Sequence, residues 1–311
     1  RGEDLEDAGA GYHRWLSPLV ITAGYHRLFS PRGREVPGQH ESDLAIQSDP
    51  DLIDALKRLR GFLMHPLILY GVPFSQPVRA VMWLLLLKKM PFDLVLTNPG
   101  SKGDNGSRHP SFLAKNPMGT IPCLEARETG FTLGEAHAIM TYLARAHGWE
   151  DLYPSEPQSR ARIDAYLHYH HRNIREASVG LVAPSIRKDL NIPEAVQQAA
   201  HKTLSAALKV FDQSLLSQQP YLCGGAVTLA DLAAYVEIGQ LQPQYTNVFD
   251  FSPYPFVQRW LTTMQQVDGH DVVHVVLAEL GDISQAAPEM DQIRGANIKA
   301  LQALKLKLSQ L

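Results

Sequence analysis

Residues 67 to 147 alternate between strand-like and helix-like segments, and this alternation limits the fold more than any other feature of the chain. The segments are, in order, the strand LILYGV, a helix at 75 to 90, the strand FDLVLT, a loop rich in Gly and Ser, a short helix near 110 to 115, the extended segments NPMGTIPCLEA and FTLG, and a helix at 135 to 147. The order β-α-β-α-β-β-α predicts an α/β domain at 67 to 148.

The chain from residue 159 to its end has a helical periodicity nearly throughout. The segment before it, WEDLYPSEPQ at 149 to 158, carries two prolines and acidic residues and indicates a linker. The predicted helices are SRARIDAYLHYHHRNIREA, PEAVQQAAHKTLSAALKVFDQSLLS, TLADLAAYVEIGQL, YPFVQRWLTTMQQV and a last amphipathic helix from about 288 to 309. The predicted fold class is therefore α/β plus all-α, with an all-helical domain at 159 to 311.

Residues 1 to 66 differ in composition from both of these regions. They are rich in charge, Gly and Pro, and they contain one amphipathic stretch, DPDLIDALKRLRGFL, that predicts a short helix begun by Asp49 or Asp51. Such a composition buries little apolar surface, so we expect a poorly packed and poorly ordered extension. Because the chain begins with Arg1 rather than Met, we also expect it to be a fragment or a processed product.

Composition and charge exclude several classes of partner. The formal net charge is −3, and no basic block with interleaved aromatic residues is present, so no nucleic-acid partner is expected. The longest apolar run, 80 to 87, is far shorter than the roughly 20 residues of a membrane-spanning helix. Cys123 and Cys223 lie far apart without a CxxC motif, which argues against a disulfide framework or a zinc site and fits a reducing compartment such as the cytoplasm. His168 and His171 share a helix face, but no carboxylates complete a metal site, so no metal is expected.

Ser75 stands directly before the apolar helix, followed by Pro77 in its first turn. Serine is a preferred N-cap residue, and proline fits the first turn of a helix, so a simple capping role is the first interpretation of Ser75. A serine hydrolase would need a GxSxG elbow around this residue, and that motif is absent. The residues alone therefore leave Ser75 as a cap or as a functional hydroxyl.

Three further local signals can be interpreted from the residues, and two of them have both a structural and a functional interpretation. Thr228 followed by Asp231 predicts a capping box at a helix start, which serves folding. The Ile121–Pro122 bond lies between extended segments and is either an edge-strand position or a cis peptide that would turn the backbone of Ile121 toward a ligand. Glu135 and Ala136 begin a helix, whose free N–H groups attract a carboxylate or a phosphate. Ordinary turn and cap chemistry is the alternative at the last two positions.

Five motifs resemble the cytosolic glutathione transferases, and the theta class in particular. They occur in the family's order and at about its spacing over residues 67 to 270, and they are LILYGVPFSQPVRAV, KNPMGTIPCLEA, GFTLGEAHAIMTYLAR, LYPSEPQSRARIDAYLHYHH and YLCGGAVTLADL. The resemblance implies a thioredoxin-like N-terminal domain, an all-helical C-terminal domain, glutathione as co-substrate and a homodimer.

The resemblance also implies roles for individual residues. In theta-like members a serine at the position of Ser75 donates a hydrogen bond to the glutathione sulfur. Thr120, Ile121 and Pro122 resemble the loop whose backbone pairs with the cysteinyl part of glutathione. Glu135 resembles the acidic residue that binds the γ-glutamyl end.

The chain departs from the family pattern at one of these positions. Where the family usually has Glu-Ser, Ala136 follows Glu135, which removes one hydroxyl contact to the ligand carboxylate. His109 resembles a contact at the glycine end across a short insertion, and an ordinary surface histidine is the alternative. Arg175 aligns with an arginine that reaches the active site of theta enzymes, and a solvated helix charge is the alternative.

The predicted function is conjugation of the glutathione thiolate to a small electrophile, with peroxide reduction as a related activity. A thiol with a pKa near 8.5 is mostly protonated at neutral pH, so a hydroxyl donor and a helix N-terminus would favour the nucleophilic anion. The alternative is a glutathione-transferase-like binding module without useful catalysis, for which Ala136 and the extension are the motivating features.

Overall fold

The structure is a computed structural model that describes residues 65 to 311. The predicted extension at 1 to 66, with its helix at 49 to 63, therefore lies outside the described residues except for His65 and Pro66. Within residues 65 to 311, no helix is both long enough and apolar enough to cross a membrane.

The N-terminal part of the described chain is an α/β unit around one four-stranded sheet. Its strands lie in the order β2-β1-β3-β4, with β1 parallel to β2 and antiparallel to β3, and β3 antiparallel to β4. The elements are β1 (Leu67–Gly71), α1 (Gln76–Leu87), β2 (Phe92–Leu96), α2 (Pro110–Leu113), β3 (Cys123–Ala126), β4 (Phe131–Gly134) and α3 (Ala136–Ala146). This confirms the predicted β-α-β-α-β-β-α order and the thioredoxin-like arrangement that the family resemblance implies.

The remainder of the chain is helical, as predicted. The α-helices are α4 (Pro157–Asn173), α5 (Ala183–Ile186), α6 (Glu194–Val210), α7 (Leu229–Ile238), α8 (Pro255–Met264), α9 (His270–Leu280) and α10 (Met290–Leu308). The π-helical turns Ala177–Val182 and Phe211–Leu215 and the 3₁₀ turns Lys188–Leu190 and Gly239–Leu241 connect some of them.

The predicted helices need several corrections, among them the bounds of α4 and the omission of α5 and α9. Helix α4 begins inside the predicted linker, because the Glu156 carboxylate accepts the N–H groups of Gln158 and Ser159 and Pro157 fits the first turn. It also ends at Asn173 rather than at 177. Helix α9 was missing from the prediction, because its N-cap is Gly269 at φ 85°, which offers no capping side chain as a start signal.

Helix α1 lies at the centre of the fold. Its residues Val81, Met82, Trp83 and Leu84 are all fully buried, because α3, α7 and α9 pack around it. This burial on every side explains why the run is apolar without a polar face. Gly71 makes the approach of β1 possible, since a Cβ there would lie 2.5 Å from Val78 Cγ2.

Helix α7 packs against α1 and carries the predicted capping box. The Asp231 carboxylate accepts the Thr228 N–H and hydroxyl, each at 2.9 Å, which confirms the box. The same carboxylate accepts the Leu222 N–H at 2.8 Å and the Trp260 indole N–H at 3.0 Å. Asp231 therefore ties the start of α7 to α8 as well as capping it.

Candidate functional site

Ser75 is the N-cap residue of α1, at the turn that follows β1. Its backbone N–H donates to Val72 O at 3.0 Å, and its C=O accepts the Arg79 N–H at 2.9 Å. The side chain makes no capping hydrogen bond, and across residues 65 to 311 the hydroxyl has no hydrogen-bond partner. The simple capping role is therefore not what the structure shows, and a half-buried hydroxyl stands uncommitted at the positive end of a helix.

The segment before β3 presents unpaired backbone groups. The Ile121–Pro122 bond is cis, which decides between the two alternatives that the sequence left open. In the part of the chain that the structure describes, neither the N–H nor the C=O of Ile121 is hydrogen-bonded. The Asn116 amide donates to Thr120 O at 2.8 Å and so fixes the turn that precedes it. Half-buried Ile121 thus offers one donor and one acceptor to a peptide-like ligand.

The start of α3 has free donors of a similar kind. Glu135 is its N-cap residue at φ 66°, is exposed, and makes no side-chain capping bond. The first N–H groups of a helix have no partner within it, so those of Ala136 and His137 are available to an anion. Ala136 is buried and its methyl group adds no donor.

A cavity of about 180 Å³ lies between these segments and the helical part of the fold. It brings together six of the predicted site residues, namely Thr120, Ile121, Pro122, Glu135, Ala136 and Arg175. The other residues that line it are Pro77, Ala80, His137, His170, His171, Ala233, Val236 and Glu237. Ser75 itself does not line the cavity, but it precedes Pro77 by two residues along the chain.

His109 lies elsewhere and has a local structural contact. It is the N-cap residue of the short helix α2, and its Nδ1 lies 2.7 Å from Ser111 Oγ and accepts the Ser111 N–H at 3.3 Å. The structure does not bring His109 to the cavity.

Arg175 lines the cavity but is already paired. Its guanidinium donates to the carboxylate of Glu237, which is 1% exposed and which also accepts the Ser178 hydroxyl. The charge of Glu237 raises the pKa of Arg175 above its ordinary value, so the arginine stays a cation. Glu237 was not predicted as a site residue, because it lies in the apolar segment DLAAYVEI and only the fold pairs it with a cation 62 residues earlier.

Three histidines on the cavity wall were also missed. The ring of His137 on α3 lies 4.6 Å from that of His170 and 4.7 Å from that of His171, both on α4. Burial lowers the pKa of His137 to about 4 and holds the pKa of His170 well below its usual value, so both rings are neutral at pH 7. Among residues 65 to 311, no three His, Cys, Asp or Glu side chains are arranged to hold a metal ion. The cluster of His170 and His171 in LHYHH was visible in the sequence, but the contact with His137 was not.

Two family profiles match the chain. Residues 69–156 match the profile described as "Glutathione S-transferase, N-terminal domain", and residues 165–267 match "Glutathione S-transferase, C-terminal domain". Among curated relatives, glutathione S-transferase D7 of Anopheles gambiae is 31% identical over 65% of this chain and 88% of its own length. Human glutathione S-transferase theta-1 is 29% identical over 72% of this chain and 94% of its own length.

Other comparisons extend these matches. Glutathione S-transferase T2 of Arabidopsis thaliana is 30% identical over 71% of this chain, which spans only 38% of that longer relative. Human glutathione transferase theta-2, solved in complex with glutathione and an unknown ligand, superposes with a TM-score of 0.59 at 26% identity over 78% of this chain and 98% of its own. A delta-class glutathione transferase of Nilaparvata lugens superposes with a TM-score of 0.58 at 26% identity over 77% of this chain and all of its own.

Proposed function

The chain belongs to the glutathione S-transferase family, with theta-class relatives, and on that premise we propose that it binds glutathione and transfers its thiolate to a small electrophile. The observation that carries this proposal is the uncommitted hydroxyl of Ser75 at the N-terminus of α1. A hydroxyl that neither caps its helix nor pairs with another side chain is free to donate to a ligand sulfur. Reduction of a peroxide would use the same thiolate.

The proposed chemistry needs stabilisation of an anion rather than a covalent serine. The Ser75 O–H donates to the thiol sulfur, and the α1 dipole adds a favourable potential, so the thiol releases its proton to solvent at a lower pH. The sulfur lone pair then forms a bond to the electrophilic carbon, and the leaving group departs with its electron pair. Each pKa unit by which the thiol is lowered corresponds to about 1.4 kcal/mol.

We propose that the remaining contacts to glutathione are made by unpaired backbone groups and by the start of α3. The N–H and C=O of Ile121, between Thr120 and Pro122, pair with the cysteinyl backbone. The Glu135 carboxylate binds the γ-glutamyl ammonium, and the first N–H groups of α3 bind its carboxylate. Because Ala136 supplies no hydroxyl, we propose that this carboxylate is held less tightly than a serine would hold it.

The two cationic candidates have less direct roles. Arg175 is committed to Glu237, so we propose that it shapes the cavity wall rather than making a free ligand contact. His109 contacts the glycine end only if glutathione extends beyond the cavity toward α2. Residues 67 to 148 are proposed as the glutathione-binding domain, and residues 159 to 311 as the helical domain that lines the electrophile pocket.

We further propose that the chain forms a homodimer in the cytoplasm. The support for a dimer is the exposure of large apolar side chains on β4, α3 and α4, namely Phe131, Tyr142 and Tyr169, which are 41%, 37% and 38% exposed. The rings of Phe131 and Tyr142 lie 5.0 Å apart, and exposed apolar patches mark protein interfaces.

The second candidate function is a glutathione-binding module without catalysis, favoured by the missing hydroxyl at Ala136. Retention of the chain on glutathione-agarose, followed by assays with several electrophiles and a hydroperoxide, separates the two. Retention with turnover that falls in Ser75→Ala supports the transferase. Retention without turnover supports the binding module, and absence of retention contradicts both.

A further inference from the structure

The two residues before Ser75 are held from opposite sides by buried polar side chains. We propose that Arg79 and Asn297 are positioning residues that clamp the Pro73–Phe74 backbone and thereby fix the direction of the Ser75 hydroxyl. This inference rests on the proposed function, in which that hydroxyl meets the glutathione sulfur. Neither residue lines the cavity, so each acts through the backbone rather than on the substrate.

Arg79 forms the first side of the clamp. Its Nη1 donates to Phe74 O at 2.7 Å and to Pro73 O at 3.2 Å, while its Nη2 donates to Val236 O on α7 at 3.1 Å. The side chain is fully buried, and this burial lowers its pKa to about 10, which leaves it charged at neutral pH. A buried guanidinium that bridges carbonyls of the turn and of α7 ties the Ser75 turn to the helical part of the fold.

Asn297 on α10 forms the second side. Its Oδ1 accepts the Phe74 N–H at 2.9 Å, and its Nδ2 donates to Ile293 O of the same helix at 2.9 Å. Asn297 is 8% exposed and lies among the buried apolar residues of α10, such as Ala300 and Leu304. Packing of the helix does not require a polar residue there, whereas the part-buried N–H of Phe74 favours an acceptor.

The two contacts leave the Ser75 turn with one free polar group. Both backbone groups of Phe74 are occupied by the clamp, and those of Ser75 are occupied by Val72 O and the Arg79 N–H. Across residues 65 to 311, the hydroxyl is then the one polar atom of Phe74 and Ser75 without a partner. Holding a donor in place before the ligand arrives avoids the cost of ordering it at each turnover, and a misplacement of about 1 Å weakens such a contact strongly.

Asn297→Leu tests the inference most cleanly. Leucine keeps the branched shape of the side chain, although it is larger, and removes the acceptor, so the Phe74 N–H loses its partner and the turn relaxes. The readout is the pKa of the bound glutathione thiol, followed by thiolate absorbance in a pH titration of the complex. We expect that pKa to rise by about one unit, with about a tenfold fall in kcat/KM at neutral pH and little change in the KM for glutathione.

Matched variants separate positioning from general stability. Leu304→Ala removes buried volume from the same helix without touching the turn, so it should lower Tm and leave the thiol pKa unchanged. In a Ser75→Ala background, Asn297→Leu should cause no further rise of the thiol pKa, because the hydroxyl that it positions is gone. Arg79→Lys keeps the charge but cannot bridge both carbonyls and α7, and it should raise the thiol pKa in the same direction as Asn297→Leu.

The outcomes distinguish this inference from the proposed function. If wild-type bound glutathione has the pKa of the free thiol, the proposed function fails. If the wild-type pKa is lowered and neither Asn297→Leu nor Arg79→Lys raises it, the clamp is overturned. An equal rise in Leu304→Ala, or an additive rise in the Ser75→Ala background, would also overturn it.

Discussion

The cavity has two walls that differ in how their polar groups are used. On the α/β wall, the backbone of Ile121 and the start of α3 have no partners among residues 65 to 311, and the same holds for the Ser75 hydroxyl, two residues before the lining residue Pro77. On the helical wall, Glu237 is bonded to Arg175 and Ser178, and His170 lies 3.0 Å from the Tyr166 hydroxyl. Polar groups without a partner in the protein can bind a ligand, whereas polar groups that are paired with one another stabilise the fold.

Because their polar groups differ in this way, we expect the two walls to have different roles. Under the proposed function, the α/β wall recognises one peptide-like ligand, since its free donors and acceptors are mostly backbone groups fixed by turns. The helical wall contributes shape rather than charge, because its charges are already compensated. Substitutions on the helical wall should therefore cost stability first, and substitutions on the α/β wall should cost ligand binding and catalysis first.

The largest expected effect is on stability, from Glu237→Gln on the helical wall. The variant leaves the Arg175 guanidinium without its buried counter-charge, so we expect the free energy of unfolding to fall by about 3 kcal/mol. This is at the low end of the range for a buried ion pair, because Arg175 is still partly exposed to water. Urea denaturation measures this loss. The double variant with Arg175→Met should recover part of it, and a Glu237→Gln protein as stable as wild type would contradict the assignment.

Ser75→Ala should have the opposite effect, with a large loss of activity and little loss of stability. We expect a fall of about 100-fold in kcat/KM at neutral pH, because one hydrogen bond to the developing thiolate is lost. The unfolding free energy should hardly change, since the hydroxyl makes no cap bond. Kinetics and urea denaturation on the same preparation provide the comparison. If Ser75→Ala instead lost much stability and kept its kinetics, the role of Ser75 would be structural.

Acid should weaken the contact between the two walls. His137 has a pKa of about 4 in the fold and that of His170 is well below its usual value, both through burial, whereas an unfolded chain binds protons near pH 6.5. The unfolded state thus takes up more protons, so stability is full above pH 6.5 and falls as the pH drops toward 4. We expect a loss of about 3 kcal/mol between pH 6.5 and 5, shared between the two histidines.

The variant His137→Leu isolates the contribution of one histidine. It should make the decline of stability with acid shallower, as measured by Tm across that pH range. An unchanged slope would mean that His137 is protonated equally in the folded and unfolded states.

A smaller effect is expected from Ala136→Ser at the start of α3. The new hydroxyl should reach the γ-glutamyl carboxylate and tighten glutathione binding by roughly 1 kcal/mol, about five- to tenfold in Kd. Calorimetry on both forms measures the difference. Ala138→Ser, on an exposed position of the same helix, is the matched control, and equal affinities of wild type and Ala136→Ser would place the carboxylate elsewhere.

The smallest effect is expected from removal of residues 1 to 64. The sequence offers there only one amphipathic stretch amid Gly, Pro and charge, whereas both walls of the cavity come from later residues. Glutathione binding and Tm should stay nearly unchanged. Aggregation of the truncated chain, or a loss of several degrees in Tm, would show that the stripe of Leu52, Ile53, Leu56 and Leu59 covers an apolar face.

The α/β wall could be predicted from the sequence almost completely. The strand and helix order and the position of Ser75 before α1 both depend on residues close together in the chain. The cis bond at Pro122 was one of two alternatives, because local sequence limits such a bond without deciding it.

The helical wall could not be predicted in the same way. The pairs Arg175 with Glu237 and His137 with His170 join residues that are distant in sequence, and each residue alone resembles an ordinary helix position. Arg79 did carry a signal, as a charge inside an apolar run, but its carbonyl partners depend on the tertiary fold. Asn297 had no sequence signal that distinguishes it from an amide on the surface of a helix.

The most direct measurement of the central claim is the pH titration of glutathione bound to the unmodified protein, followed by the ultraviolet absorbance of the thiolate. The free groups of the α/β wall, together with the Ser75 hydroxyl next to it in the chain, predict an apparent thiol pKa at least about one unit below the 8.5 of an ordinary thiol. A bound thiol that titrates at its ordinary value would contradict the account, because the uncommitted hydroxyl and the α1 dipole would then do nothing for the sulfur.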